Sequence, residues 1–202
     1  MEESSDPRFS NDIQVFRIDG INNLPDYLEN FKKFDGFSNV RKLMVIRDAD
    51  EDVQSSVRMV QTSFSKNGFN IPESCNQWTD TGNTVSTGFT LMPSCSNKPV
   101  PGAIEDLCWS ILTVDNDQIC ADIRQFVNDI KNRYHTIQTH EHKSRLHTYF
   151  SVNENLISLK IGEAAKAGAF DWYSKNLNTL HDFIAAEFTE NGSDRTETKL
   201  LS

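Results

Sequence analysis

Arg41-Lys-Leu-Met-Val-Ile-Arg-Asp-Ala-Asp-Glu-Asp52 decides how this chain is read. The apolar run Leu43-Met-Val-Ile46 has the character of a strand buried on both faces. It ends in Asp48 and Asp50, with Glu51 and Asp52 close behind. Side chains on an extended backbone alternate with period two, so Asp-X-Asp puts two carboxylates on one side. Like charges held that close repel unless a cation lies between them, and hard carboxylate oxygens suit Mg²⁺ or Mn²⁺. In open α/β sheets ligands bind beyond the carboxyl ends of the strands, where this acidic group falls. The same acids also read as a solvated turn in which Asp50 or Asp52 caps the following helix.

Outward from this stretch, the pattern alternates strand and helix. Ile13-Gln-Val-Phe-Arg-Ile18 alternates apolar and polar residues and predicts a strand. Leu24, Tyr27, Leu28 and Phe31 are spaced as in a helix over 21–34, with Asn22 or Asn23 as cap and Pro25 in the first turn. Val57, Val60 and Phe64 predict a helix over 55–67, stopped at Asn67-Gly68. A short strand is expected near Trp78 and a buried one over Val85 to Met92. After a loop with two prolines, a helix follows with Ile104, Leu107, Cys108, Ile111 and Leu112 inward and Glu105 on its polar side. Strands joined by helical crossovers imply a parallel sheet. Further helices are predicted over 119–134 (Ile123, Phe126, Val127 and Ile130 inward), 144–150 and 177–188.

With 202 residues, 37% hydrophobic and 10% aromatic, the chain suits one medium domain with a substantial core. Residues 1–12 read as a flexible segment, 13–134 as the α/β core, 135–190 as a helical C-terminal part of the same domain, and 191–202 as a disordered tail. A net charge of −9 argues against adhesion to nucleic acid through bulk charge. No segment approaches the roughly 20 apolar residues of a membrane span. Cys75, Cys95, Cys108 and Cys120 form no C-x-x-C pair and follow no signal peptide, which predicts reduced thiols and a cytoplasmic location. His135, His140, His142 and His147 fit no zinc spacing and read as surface or partner-binding residues. No phosphate-binding glycine loop and no nucleophile elbow is present.

Three stretches in order resemble the Toprim domains of topoisomerases, primases and OLD-associated nucleases, and more closely an uncharacterised bacterial family of Toprim-like, OLD-related proteins. They are Val45-Ile-Arg-Asp-Ala-Asp50; Thr90-Leu-Met-Pro93 followed by Pro101-Gly-Ala-Ile-Glu-Asp-Leu107; and His142-Lys-Ser-Arg-Leu-His-Thr-Tyr149 with Gly162-Glu-Ala-Ala-Lys-Ala-Gly168. The resemblance implies a Toprim-like, mostly parallel sheet flanked by helices, with a helical C-terminal part. It also implies divalent-metal-dependent phosphoryl transfer on nucleic acid by a nuclease, in a bacterial defence or mobile-element setting. Asp48 and Asp50 match the family's metal-holding pair and Glu105 its later acid, so the expected metal ligands are Asp48, Asp50, Glu105 and the neighbouring Asp52. A Glu on a first strand is the general acid/base in such enzymes. No apolar strand precedes Ile13, and Met1-Glu2-Glu3-Ser-Ser-Asp6 is its nearest counterpart, which makes Glu2 that residue. Lys143 and Arg145, which by themselves also read as a solvated helix face, are the expected phosphate contacts. A core without the first strand carries the alternative expectation of a catalytically degenerate, partner-binding or regulatory protein.

Overall fold

A computed structural model describes residues 13–18, 20–79, 85–115, 117–135 and 141–189. Its centre is a parallel pair of strands, β1 (Lys42–Asp48) and β2 (Ser86–Met92), in register from Lys42 opposite Ser86 to Asp48 opposite Met92. The carboxyl ends of both strands therefore lie level, and the loops that leave them share one rim. Helix α1 (Leu24–Phe31) precedes β1, and α2 (Val53–Lys66) with the loop behind it makes the crossover to β2. Five further helices follow among the described residues: α3 (Ile104–Asp115), α4 (Asp117–Arg133), α5 (Glu141–Ser151), α6 (Ile161–Lys166) and α7 (Asn178–Thr189). The architecture is mixed α/β, with two strands in the sheet among the described residues.

Apolar side chains gather in two clusters, and β2 contributes to both. Phe89 and Leu91 join Leu24, Leu28, Val45, Val60 and Phe64 under α1 and α2, while Met92 joins the helical cluster built from α3, α4, α5 and the segments after them. Opposite faces of one strand thus serve opposite layers. All seven residues of β2 are buried. The far edge of β2 meets residues 76–79, where Asn76 N donates to Phe89 O at 2.8 Å, Thr79 N donates to Thr87 O at 2.9 Å, and Trp78 bridges Gly88. Gly88 is required there. A Cβ on it would sit 2.8 Å from the Phe183 ring and 2.9 Å from the Trp78 ring. Those two rings stack at 5.0 Å, and Trp78 Nε1 donates to Phe183 O at 3.1 Å, which seats α7 on the sheet.

Four expectations are corrected. β1 is not buried on both faces, since Ile46 is 52% exposed. Ile13–Ile18 belongs to no strand: Val15 is 91% exposed, and the Phe16 ring lies instead against Tyr27 and Phe31 of α1. Alternation marks a segment that suits a ladder, but strand structure needs a partner backbone. On α4, Ile123 and Val127 are buried while Phe126 is exposed. Cys120, Ile123 and Val127 fall within about 60° of helical arc, and Phe126 lies roughly another 60° round. Helix α5 also starts earlier than its apolar spacing indicates, at Glu141, and so includes His142 and Lys143. The two tails, Glu2 and His140 lie outside the described residues. No described helix is long and apolar enough to cross a membrane. All four cysteines are buried and unbridged.

Candidate acidic site at the sheet rim

Asp48 is the last residue of β1, and the level ends of the strands decide what surrounds it. The chain leaving β2 returns along the chain leaving β1. Ala49 N donates to Met92 O at 2.9 Å, and Asp50 and Gly102 exchange two backbone hydrogen bonds of 3.0 Å each. This clasp delivers the first turn of α3 to Asp48, whose Oδ1 accepts from Ile104 N at 2.8 Å. The first N–H groups of a helix lack intrahelical partners and favour an anion, so strand end and helix start complete each other. The next residue is Glu105, only 9% exposed. Burial pushes the Asp48 carboxyl above its ordinary value, and the negative charges of Glu105 and Asp50 push it further. The Ile104 amide and the Arg47 guanidinium pull the other way. Glu105 thus lies on the same rim as Asp48, as the sequence pattern anticipates.

The other acids behave differently. Asp50 is not on the strand: its φ is +56°, so the period-two argument that set it beside Asp48 does not reach it. Its exposed carboxylate forms an ion pair with Arg47, whose Nε also donates to Asp48 O at 2.8 Å. Asp52 is the N-cap of α2, its Oδ1 accepting from Ser55 N at 2.9 Å. Of the two caps the sequence allowed, Asp52 is the one used. Lys143 reaches the site from α5, its Nζ 3.8 Å from Glu105 Oε1. Arg145 does not: its guanidinium is bound to Glu141 one turn back, at 2.6 Å. Among the described residues no group of three or more His, Cys, Asp or Glu side chains is gathered closely enough to hold a metal ion.

A family described as protein of unknown function (DUF3226) matches residues 3–189. The chain belongs to the DUF3226 family. No curated protein and no solved structure matches it. The DUF3226 match spans both strands, the clasp between them and all seven described helices, so the rim lies within the shared region.

Arg47 had no signal strong enough to single it out, and Asp106 was visible only as half of the Glu105-Asp106 acidic pair. Arg47 sits beside Asp48 in sequence, but only the turn at Asp50 reveals it as that residue's counter-ion. Asp106 accepts from Ala103 N at 2.9 Å through Oδ2, which lies 3.7 Å from His142 Nδ1. It locks the start of α3 and links it to α5. The Glu-Asp pair after Pro-Gly was its trace in the sequence. The thiol of Cys108, one turn along α3, is pushed up to about 12 by burial and by Glu105, which makes it unreactive.

Proposed function

We propose that the rim formed by Asp48 and Glu105 serves Toprim-type, divalent-metal-dependent phosphoryl transfer on nucleic acid, most directly phosphodiester hydrolysis. The observation that carries this is a half-buried carboxylate at the carboxyl end of a parallel strand, raised by its burial and further by a second acid 57 positions away in sequence. The donors fit Mg²⁺ or Mn²⁺ in kind, since all are hard oxygens. They fit in number only if Asp50 leaves Arg47. Asp48 and Glu105 would hold the ion, with Asp50 as a third ligand and Asp52 retained as helix cap. A bound divalent ion would neutralise charge developing on the phosphate and lower the pKa of water. Lys143, beside Glu105, is positioned to neutralise a phosphate oxygen, and Glu2 remains the proposed general base on sequence grounds.

The test is plasmid cleavage with Mg²⁺ or Mn²⁺. Wild type should cut, and Asp48→Asn and Glu105→Gln should each lose at least about 100-fold, the scale of losing a group that acts only in the transition state. Equal trace activity in all three proteins would sink the proposal. A second reading, a degenerate core that binds a protein partner, is favoured by the Asp50–Arg47 ion pair and the capping role of Asp52. It predicts no cleavage and no response to either metal.

A further inference from the structure

Beyond the end of β2, between α3 and the residues that open α7, is a concave pocket of about 390 Å³ that the acidic rim does not use. Ser94, Asp106 and Ser110 line it together with Lys175, Asn176 and Thr179. Its volume falls in the range of small-ligand sites, roughly 300–1,000 Å³. Its place is the one where α/β sheets bind ligands. The walls are fixed. Asn176 Nδ2 donates to Ser110 O at 2.9 Å, and Asp106 is anchored through Oδ2 on Ala103 N. The Lys175 ammonium has no ion-pair partner among the described residues. A cation without an ion-pair partner among the described residues, the Thr179 hydroxyl and an anchored carboxylate thus line one space of small-ligand size.

We propose that this pocket holds one nucleotide unit, with its phosphate on Lys175 and a hydrogen-bond donor of its sugar or base on Asp106. The inference rests on the phosphoryl-transfer reading and gives it a substrate site. Glu105 and Asp106 are consecutive in the first turn of α3, so the pocket and the acidic rim share that turn. A compact ammonium suits a phosphate as a point charge.

The experiment is fluorescence anisotropy with a labelled single-stranded DNA 12-mer in EDTA, with AMP as competitor. Wild type should bind saturably. Lys175→Glu and Thr179→Asp should each weaken binding at least 10-fold, with melting temperatures unchanged. Lys66→Glu, on α2 and away from the pocket, should change it less than 2-fold. Displacement by AMP identifies a free-nucleotide site; Lys175-dependent binding that AMP does not displace identifies a strand site. Either supports the pocket. No saturable binding by wild type, or equal effects of Lys175→Glu and Lys66→Glu, overturns it. Metal-dependent cleavage indifferent to Lys175→Glu removes the pocket and keeps the reaction. Lys175-dependent binding without cleavage in either metal keeps the pocket and removes the reaction.

Discussion

Burial and the neighbouring acids disfavour the charged form of Asp48. A carboxyl whose folded pKa lies above its unfolded one disfavours the folded state once it is charged. The penalty is absent below its ordinary value of 3.8 and complete above the raised folded value. Asn at this position can still accept the Ile104 amide, so Asp48→Asn should melt higher than wild type without metal at pH 7, by on the order of 2 °C. The gap should close as the pH falls toward 4. Melting curves across pH 4 to 7 check this, and a gap that widens on acidification would contradict the assignment. Asp50 taught the opposite lesson about reading residues. Its place in Asp-X-Asp was visible, but the left-handed backbone that turns it to Arg47 depends on the Gly102 clasp, 52 positions away.

At the scale of elements, what could be read was what each segment carries in itself. The strand ending at Asp48, the helix after it and the buried strand ending at Met92 each announce themselves by their own apolar period and stop signals. Ile13–Ile18 failed because a strand is a relation between segments. The start of α5 was missed because it is held by charge: Glu141 is bound by Lys131 of α4 and Arg145 of its own helix, and these neighbours pull its carboxyl below the usual range. Asp52 is where the element reading has a direct test. Asp52→Ala should cost about 1 kcal/mol through loss of the α2 cap. It should leave any Mn²⁺-induced rise in melting temperature intact, as measured by paired melts with and without metal. A loss of the metal response would make Asp52 a ligand.

For the molecule as a whole, one glycine sets how closely the helical layer approaches the sheet. Gly88→Val would force the Trp78 and Phe183 rings apart, and overpacking of this kind costs about 1–3 kcal/mol. Urea unfolding should show a lower midpoint, together with a change in Trp fluorescence. An unchanged midpoint would mean that α7 does not seat on β2. That packing was not legible from sequence, since Phe183 and Gly88 have nothing in their local patterns to connect them. The approach of Glu105 to Asp48 was legible, because a parallel crossover leaves few other places for the first turn of α3.

We propose that Asp48 and Glu105 tolerate each other because a divalent ion binds to both. Melting wild type, Asp48→Asn and Glu105→Gln across a Mg²⁺ and Mn²⁺ titration tests it most directly. At 100 times its Kd an ion bound only to the folded state adds about 2.7 kcal/mol. The account therefore predicts a rise of several degrees in wild type and none in either variant. A flat response in wild type, or the same rise in all three proteins, would contradict it.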